Sequence, residues 1–460
     1  MRPSPLTVLH TSDWHLGHTL HGHARAAEHD AFLAFLLDVL AREAVDALIV
    51  AGDVFDTSNP PAAAQAAYYR FLAEARRRRP GLDIVVVAGN HDSAARLTAP
   101  RPVLSSLGVR VVGAVPRRGP TGRAPIDPEP MIVPLHAADG EVGAWVAAVP
   151  FLRLSDLDRA PDRPGVDGPA GSATIDGVRR LYGQVRDAAR ARREPGQALL
   201  ATGHLHLADT RPSEESERPV IGAQHALPVD VFPDDVAYVA LGHLHLAQAV
   251  GGREEVRYSG SPIPLSMAEA TYPHQVRLVR LEGERVAAQQ AVRVPRAVDV
   301  LRVPADGPGE LPHVLKALRR LPDALRREDG REAPFLDVRV RLPGPMPDLR
   351  AQVEEALGDA PVRLVRIAIE RPATGEGLAE GAERRRLSDL TVEEVFRRCY
   401  ARRYDGEPDA RLLAAFREVV EAAYAGPEPE VDVPARGSDG AEGGPAATAR
   451  RLGPSEEATR

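Results

Sequence analysis

Cysteine is almost missing: Cys399 stands alone in 460 residues, which excludes an internal disulfide framework, a thiolate metal cage and a dithiol redox pair. Any bound metal must therefore draw its ligands from His, Asp, Glu or Asn. Lysine is as scarce, with Lys316 the sole example. Positive charge is carried by arginine, which reflects either genome composition or phosphate recognition. A net excess of positive charge is lacking too. The formal charge of −7 argues against coating nucleic acid by bulk electrostatics, while leaving room for a local basic groove or a basic partner. No apolar run approaches the roughly 20 residues that span a bilayer. The N-terminus runs from Met1 into a strand-like pattern without a basic-then-apolar segment, so a cytoplasmic, reducing compartment is expected and no membrane partner.

What is present is a series of short apolar runs, each ending in a polar residue: "LTVLHTSD", "ALIVAGD", "IVVVAGN", "WVAAVP", "ALLATGH" and "YVALGH". They predict buried strands. Ala27 to Ala44 carries apolar residues at helical spacing between the first two, so the chain opens β-α-β. Length predicts two or three domains. Residues 1–275 form the first, interrupted by Pro- and Gly-rich surface loops near 117–130 and 156–173. A composition change near Val276 to Val298 opens a second, small α+β domain over 276–370. Residues 371–386 have linker composition. Across 387–425 a capping-box pattern at Thr391 and Glu394 introduces two short amphipathic helices, which either dock on their own domain or await a partner. Residues 426–460, with almost no large apolar side chain, are expected to be disordered.

Functional groups in α/β folds gather beyond the carboxyl ends of strands. "SDWH" supplies Asp13 and His15, "GDVFD" Asp53 and Asp56, "GNHD" Asn90, His91 and Asp92, "GH" His204, and "GHLH" His243 and His245. Carboxylate, imidazole and amide oxygen suit a pair of divalent first-row metals, and a carboxylate can bridge two ions. Asp53 is the candidate bridge. The i, i+2 spacing of Asp13 with His15 and of His243 with His245 predicts extended backbone that points each pair one way. The glycines before Asp53, Asn90, His204 and His243 predict sharp turns beneath the metals. His18, His21, His23 and His29 lack a carboxylate set and are assigned to a polar loop.

These motifs, with "HTSDWHLG", "GDVFDTSNPP", "VAGNHDS", "LGHLHLAQ", "RYSGSPIPLS", "PFLR" and "LSDLTVEEVFRR", resemble the calcineurin-like metallophosphoesterases. Among these they are most similar to the SbcD nucleases of the SbcCD complex, relatives of the Mre-type repair nucleases. The resemblance implies an α/β fold: a metallophosphoesterase β-sandwich flanked by helices, a small α+β capping domain and a C-terminal helical pair. It implies one metal on Asp13, His15, Asp53 and His245 and a second on Asp53, Asn90, His204 and His243, with manganese as the effective ion. His91 takes the position that contacts the scissile phosphate and aids departure of the leaving oxygen. Asp56 takes that of the acid orienting this histidine. His206 departs from the family pattern and is either a surface residue or a phosphate contact. Arg153 either touches substrate phosphate or forms a surface ion pair.

The implied activity is two-metal hydrolysis of DNA phosphodiesters in repair, recombination and replication: 3′ to 5′ exonuclease action on duplex ends and endonuclease action on hairpins. The implied partners are double-stranded DNA ends and hairpins, a second copy of the chain through the nuclease domain, and the SbcC ATPase. The assembly would hold two of each chain at the nucleoid. Two alternatives remain, a metallophosphodiesterase for nucleotides or other small diesters and an inactive scaffold bridging the ATPase.

Overall fold

The computed structural model describes residues 4–119, 124–157, 172–211, 226–321, 332–371 and 392–403, together with 408, 412, 413 and 416. Leu6–Thr11, Ala47–Ala51, Asp83–Val87 and Val109–Val112 lie parallel in one six-stranded sheet. Both faces of this sheet are covered, which is why its strands are continuous apolar runs. Val8, Ile49 and Val85 pack inward against a second six-stranded sheet. Leu9, Leu48 and Val86 pack outward on Phe32, Leu36, Tyr68 and Phe71 of the helices Ala26–Arg42 and Ala62–Arg78. In the second sheet Val142–Ala148, Ala198–His204, Tyr238–Gly242 and Arg253–Tyr258 run parallel. Helix Ser172–Arg192 covers it through Val178, Leu181, Tyr182 and Val185. The result is a two-sheet sandwich flanked by helices.

The boundary expected at 275/276 is corrected. Gln275–Glu282 pairs antiparallel with Leu6–Thr11, and Arg285–Arg293 pairs with it in turn, so this hairpin completes the first sheet. Val276 and Leu278 enter the helix-side core and Val279 and Leu281 the inter-sheet core. The composition changes here because Arg285–Arg293 is a half-exposed edge strand, whose polar residues guard against pairing with another chain. The small domain follows. Phe335–Arg341 is its central strand, paired parallel with Val300–Val303, Gly309–Glu310 and Arg363–Glu370. Helices Leu311–Leu318 and Leu349–Leu357 close its core through Val314, Leu318 and Val353.

The two large sheets are also tied by a buried polar pair. His10 lies with Nε2 3.1 Å from the Leu241 carbonyl and Nδ1 2.9 Å from the Tyr238 hydroxyl, an arrangement that a neutral ring satisfies by donating to the first and accepting from the second. Burial pushes its pKa down to about 3, aided by the Arg277 charge and opposed by the Leu241 bond. The unfolded chain takes up this proton near 6.5, so the stabilisation is complete above that pH and is lost as pH falls towards 3. Thermal unfolding in chelator should therefore show stability about 2 kcal/mol lower at pH 5 than at pH 7 from this residue. His10→Gln should flatten that dependence.

The chain divides into two compact units, Met1–Gly377 and Leu378–Arg460. In the second, helix Val392–Arg403 carries Phe396, whose ring stacks on Phe416 at 4.0 Å. The expected linker beyond Arg371, most of the second expected helix and the expected disordered tail 426–460 lie outside the described residues. No helix among the described residues is long and apolar enough to cross a membrane.

Candidate active site

The carboxyl ends of five strands deliver the predicted ligands to one place. Asp13, His15, Asp53, His204, His243 and His245 are all buried, and Asn90 and His91 are half-buried. The backbone that brings them together is not extended, contrary to the i, i+2 expectation. Asp13, His15, Asp53 and His243 have φ of 54°, 46°, 50° and 107°, conformations that non-glycine residues adopt only when their surroundings enforce them. Hydrogen bonds between loops provide that enforcement: Asp13 N–H to the Gly52 carbonyl and His15 N–H to the Asp53 carbonyl, each 3.0 Å, and His243 N–H to Asp13 Oδ1 at 3.0 Å.

The glycines serve closeness more than turning. Of those preceding Asp53, Asn90, His204 and His243, only Gly52 has positive φ. A Cβ on Gly242 would lie 1.9 Å from the Ala51 carbonyl oxygen, and one on Gly89 would lie 2.1 Å from Asp53 Oδ1. At Gly242 strand ends of the two sheets, and at Gly89 neighbouring strand ends of the first sheet, thus approach to a distance that any side chain forbids. Gly242→Ala is expected to cost about 3 kcal/mol by overpacking, measured by urea unfolding of the metal-free protein.

The histidines are oriented by what their other nitrogen touches. His15 Nδ1 lies 3.2 Å from an Asp56 carboxylate oxygen, His204 Nδ1 2.9 Å from the Ala51 carbonyl and His245 Nδ1 3.0 Å from Glu269. Each of these Nδ1 atoms donates, leaving Nε2 as the atom that could take a metal. His243 differs: its Nδ1 faces Asn90 Oδ1 at 3.2 Å. Asp53 Oδ2 stands 3.5 Å from His15 Nε2 and 3.3 Å from His204 Nε2. His15 Nε2 is fully buried without a hydrogen-bond partner, and Asn90 Oδ1 sits 2.9 Å from His204 Nε2. Lone pairs crowded together this way fit a pair of divalent cations. Asp13, His15 and His245 are close enough to share one ion, as are Asp13, Asp53 and His204.

The electrostatics agree. Burial alone would raise the Asp53 carboxyl, yet the His204 and His15 imidazoles hold it well below the usual range. Conversely, burial opposes the Asp53 and Asp13 charges at His204, and the carboxylates win, raising it to about 9. A cation entering between Asp53 and His204 must displace that proton. His243 is held neutral by burial and by the neighbouring His204 charge.

Asp56 touches two histidines with different groups. Its carboxylate turns to His15, while its backbone carbonyl accepts the Nδ1–H of His91 at 2.7 Å. Burial works against it, but the His15 bond holds this carboxyl below its usual range. Asp56 therefore orients His91 through its main chain. His91 also belongs to a possible metal group with His15 and Asp53. Its Nδ1 is held by the Asp56 carbonyl much as those of His15, His204 and His245 are held by other acceptors; what sets it apart is that it is half-buried where those three are buried. Arg153 is exposed, two residues beyond Phe151, whose ring lies 6.2 Å from that of His204. His206 is half-buried with its ring 6.0 Å from that of His243. His29, expected in a polar loop, is instead buried on the first helix, because its position falls on that helix's inward face. No group of metal-compatible side chains forms around His18, His21, His23 and His29 among the described residues.

Three supporting residues have no role assigned from sequence. Asp92, buried, accepts the backbone N–H groups of Gly89, Phe55 and Val54 at 2.9, 2.9 and 3.2 Å, stapling the Asp53 loop to the Asn90 loop. Burial and then Asp53 raise its pKa to about 6, against the pull of those N–H groups. The Tyr258 hydroxyl donates to the Leu205 carbonyl at 2.7 Å and accepts the Leu207 N–H at 3.0 Å, fixing the loop behind His204. Glu269 holds His245. Asp92 is marked by its place in "GNHD" and Tyr258 stands in the "RYSGSPIPLS" block; nothing in the sequence marks Glu269.

Residues 6–247 match the calcineurin-like phosphoesterase family. Residues 295–404 match the family described as the type 5 capsule protein repressor C-terminal domain. The chain is 44% identical to the SbcD component of the SbcCD nuclease of Rhodobacter capsulatus over 395 residues, covering 85% of this chain and 93% of that protein. It is 35% identical to the SbcD component of the Escherichia coli K12 nuclease over 398 residues, covering 85% and 92%. A shorter match, 37% identity over 101 residues, covers 22% of this chain and 25% of the DNA double-strand break repair protein Mre11 of Sulfurisphaera tokodaii.

Proposed function

The chain belongs to the calcineurin-like phosphoesterases and, within them, to the SbcD nucleases, and from that premise we propose that it hydrolyses DNA phosphodiesters as the nuclease component of an SbcCD complex. The observation that carries this reading is Asp53 Oδ2 lying between His15 Nε2 and His204 Nε2, at 3.5 and 3.3 Å, inside a buried set of O and N ligands. Asp13, His15, Asp53 and His245 would hold one ion, and Asp53, Asn90, His204 and His243 the other, with manganese the effective metal. When bound, two such cations supply Lewis-acid activation of water and neutralise charge on the phosphoryl oxygens.

The rest is the work of the chain itself. His91 N–H donates to Asp53 Oδ1 at 2.9 Å, so the bridging carboxylate and the substrate-facing histidine share one loop geometry. The Asp56 carbonyl holds His91 Nδ1–H, which leaves the Nε2 edge to meet the scissile phosphate and hand a proton to the departing 3′ oxygen. Arg153 extends this reading as a phosphate contact beside the site. The small domain caps the site and selects DNA ends and hairpins. A second chain joins through the nuclease domain, and two ATPase chains complete the assembly.

The C-terminal helical segment supplies the ATPase contact. Deleting residues 387–425 is expected to abolish SbcC binding in a pull-down while leaving metal-dependent cleavage of open duplex ends within about threefold of the full chain. The function itself is tested with end-labelled linear and hairpin duplexes in manganese or magnesium, with and without SbcC and ATP. Shortening from 3′ ends and opening of hairpins, only with metal, is the expected result. Steady hydrolysis of a chromogenic diester without cleavage of either DNA would overturn it.

A further inference from the structure

The second glycine–histidine motif ends at His245, which groups with Asp13 and His15 closely enough for the three to share an ion. Its Nδ1 meets Oε1 of Glu269 at 3.0 Å. Glu269 is fully buried in the 3-10 turn Ala268–Thr271. Its other carboxylate oxygen accepts the Leu265 N–H at 2.8 Å, and the Ser266 hydroxyl lies 3.4 Å from the first. A carboxylate removed from water persists only where donors satisfy it, so backbone and imidazole together fix this side chain. An imidazole that donates Nδ1–H to a carboxylate has its tautomer and ring angle set, and its Nε2 becomes a better electron donor.

We propose that Glu269 is the positioning residue for the ion held by Asp13, His15 and His245, and that it acts through His245.

The same turn is where the small domain seats. Met267 is fully buried against Val298, Phe335 and Val365, and its carbonyl accepts from Arg302. The Ala270 carbonyl accepts from Arg296 at 2.5 Å. Glu269 is thus flanked on both sides by contacts to the small domain or to the segment leading into it.

The role of Glu269 presupposes the two-ion reading of the site. Calorimetric titration of the full chain with Mn2+ is the test, beside Glu269→Ala and Glu269→Gln. The parent should bind two ions. Glu269→Ala should bind one as the parent does and the other about 10- to 100-fold more weakly. Glu269→Gln keeps an oxygen to accept Nδ1–H but not the charge, and should weaken the same ion by less. Loss confined to one of two ions is not what a general loss of structure produces, and circular dichroism with thermal unfolding in chelator monitors the fold. Two ions at parental affinity in both variants would overturn the role of Glu269 and leave the two-ion reading standing. Should Glu269→Ala fail to fold, Glu269→Gln decides alone, one weakened ion supporting the role and parental affinity overturning it. A parent that binds fewer than two ions would defeat the two-ion reading and this role with it.

Discussion

Asp53→Asn is expected to remove DNA cleavage by at least about a thousandfold, because a shared carboxylate supplies several kcal/mol of charge stabilisation and each 1.36 kcal/mol is tenfold in rate. Of the carboxylates in the cluster, this is the one that both Nε2 atoms, those of His15 and His204, approach within 3.5 Å. An amide keeps the shape and can still accept the His91 N–H, now at 2.9 Å, so the loops should stay in place. What goes is the negative charge that two cations sharing this carboxylate would need to offset their mutual repulsion. Elemental analysis and calorimetry with Mn2+ should show both ions weakened, in contrast to the one-ion effect expected at Glu269. Full occupancy of both ions in Asp53→Asn would place the bridge elsewhere, with Asp13 the next candidate.

His91→Ala should separate binding from chemistry. The loss expected is about 10²- to 10⁴-fold in cleavage, the range of general acid catalysis, with both ions retained. His91 is half-buried, whereas His15, His204, His243 and His245 are buried, and removing its ring leaves that buried set intact. Cleavage of a substrate with a good leaving group, which needs no proton, should recover much of the lost rate. Loss of an ion in His91→Ala would mean that the proximity of His91 to His15 and Asp53 marks a ligand instead of an acid. Asp56→Asn should act differently again, disturbing His15 at 3.2 Å and hence metal affinity, while its carbonyl still holds His91.

The two experiments bear on the same stretch of loop. Asp92 joins the Asp53 loop to the Asn90 loop through backbone N–H groups, so Asp53, Asn90 and His91 stand on loops tied to one another. Such support holds a first layer of ligands within a fraction of an ångström of the productive arrangement.

The strands were legible before folding, since parallel sheets buried on both faces require unbroken apolar runs, and so were the polar residues that end them. The ligand types were equally plain, because a chain with one cysteine has only imidazole, carboxylate and amide to offer. Tertiary structure alone decided how these groups converge. Asp13 and His15 meet through left-handed backbone held by partner loops, which no i, i+2 rule foresees. Gly242 is required because Ala51, nearly two hundred residues earlier, fills the space a Cβ would take. The hairpin Gln275–Arg293 joins the first sheet because Leu6–Thr11 leaves an edge open to it. Asp56 faces His15, and Glu269 faces His245, across separations that carry no local signal. Local pattern records which side of an element is buried; partners brought together by long-range closure are fixed only when the chain has folded.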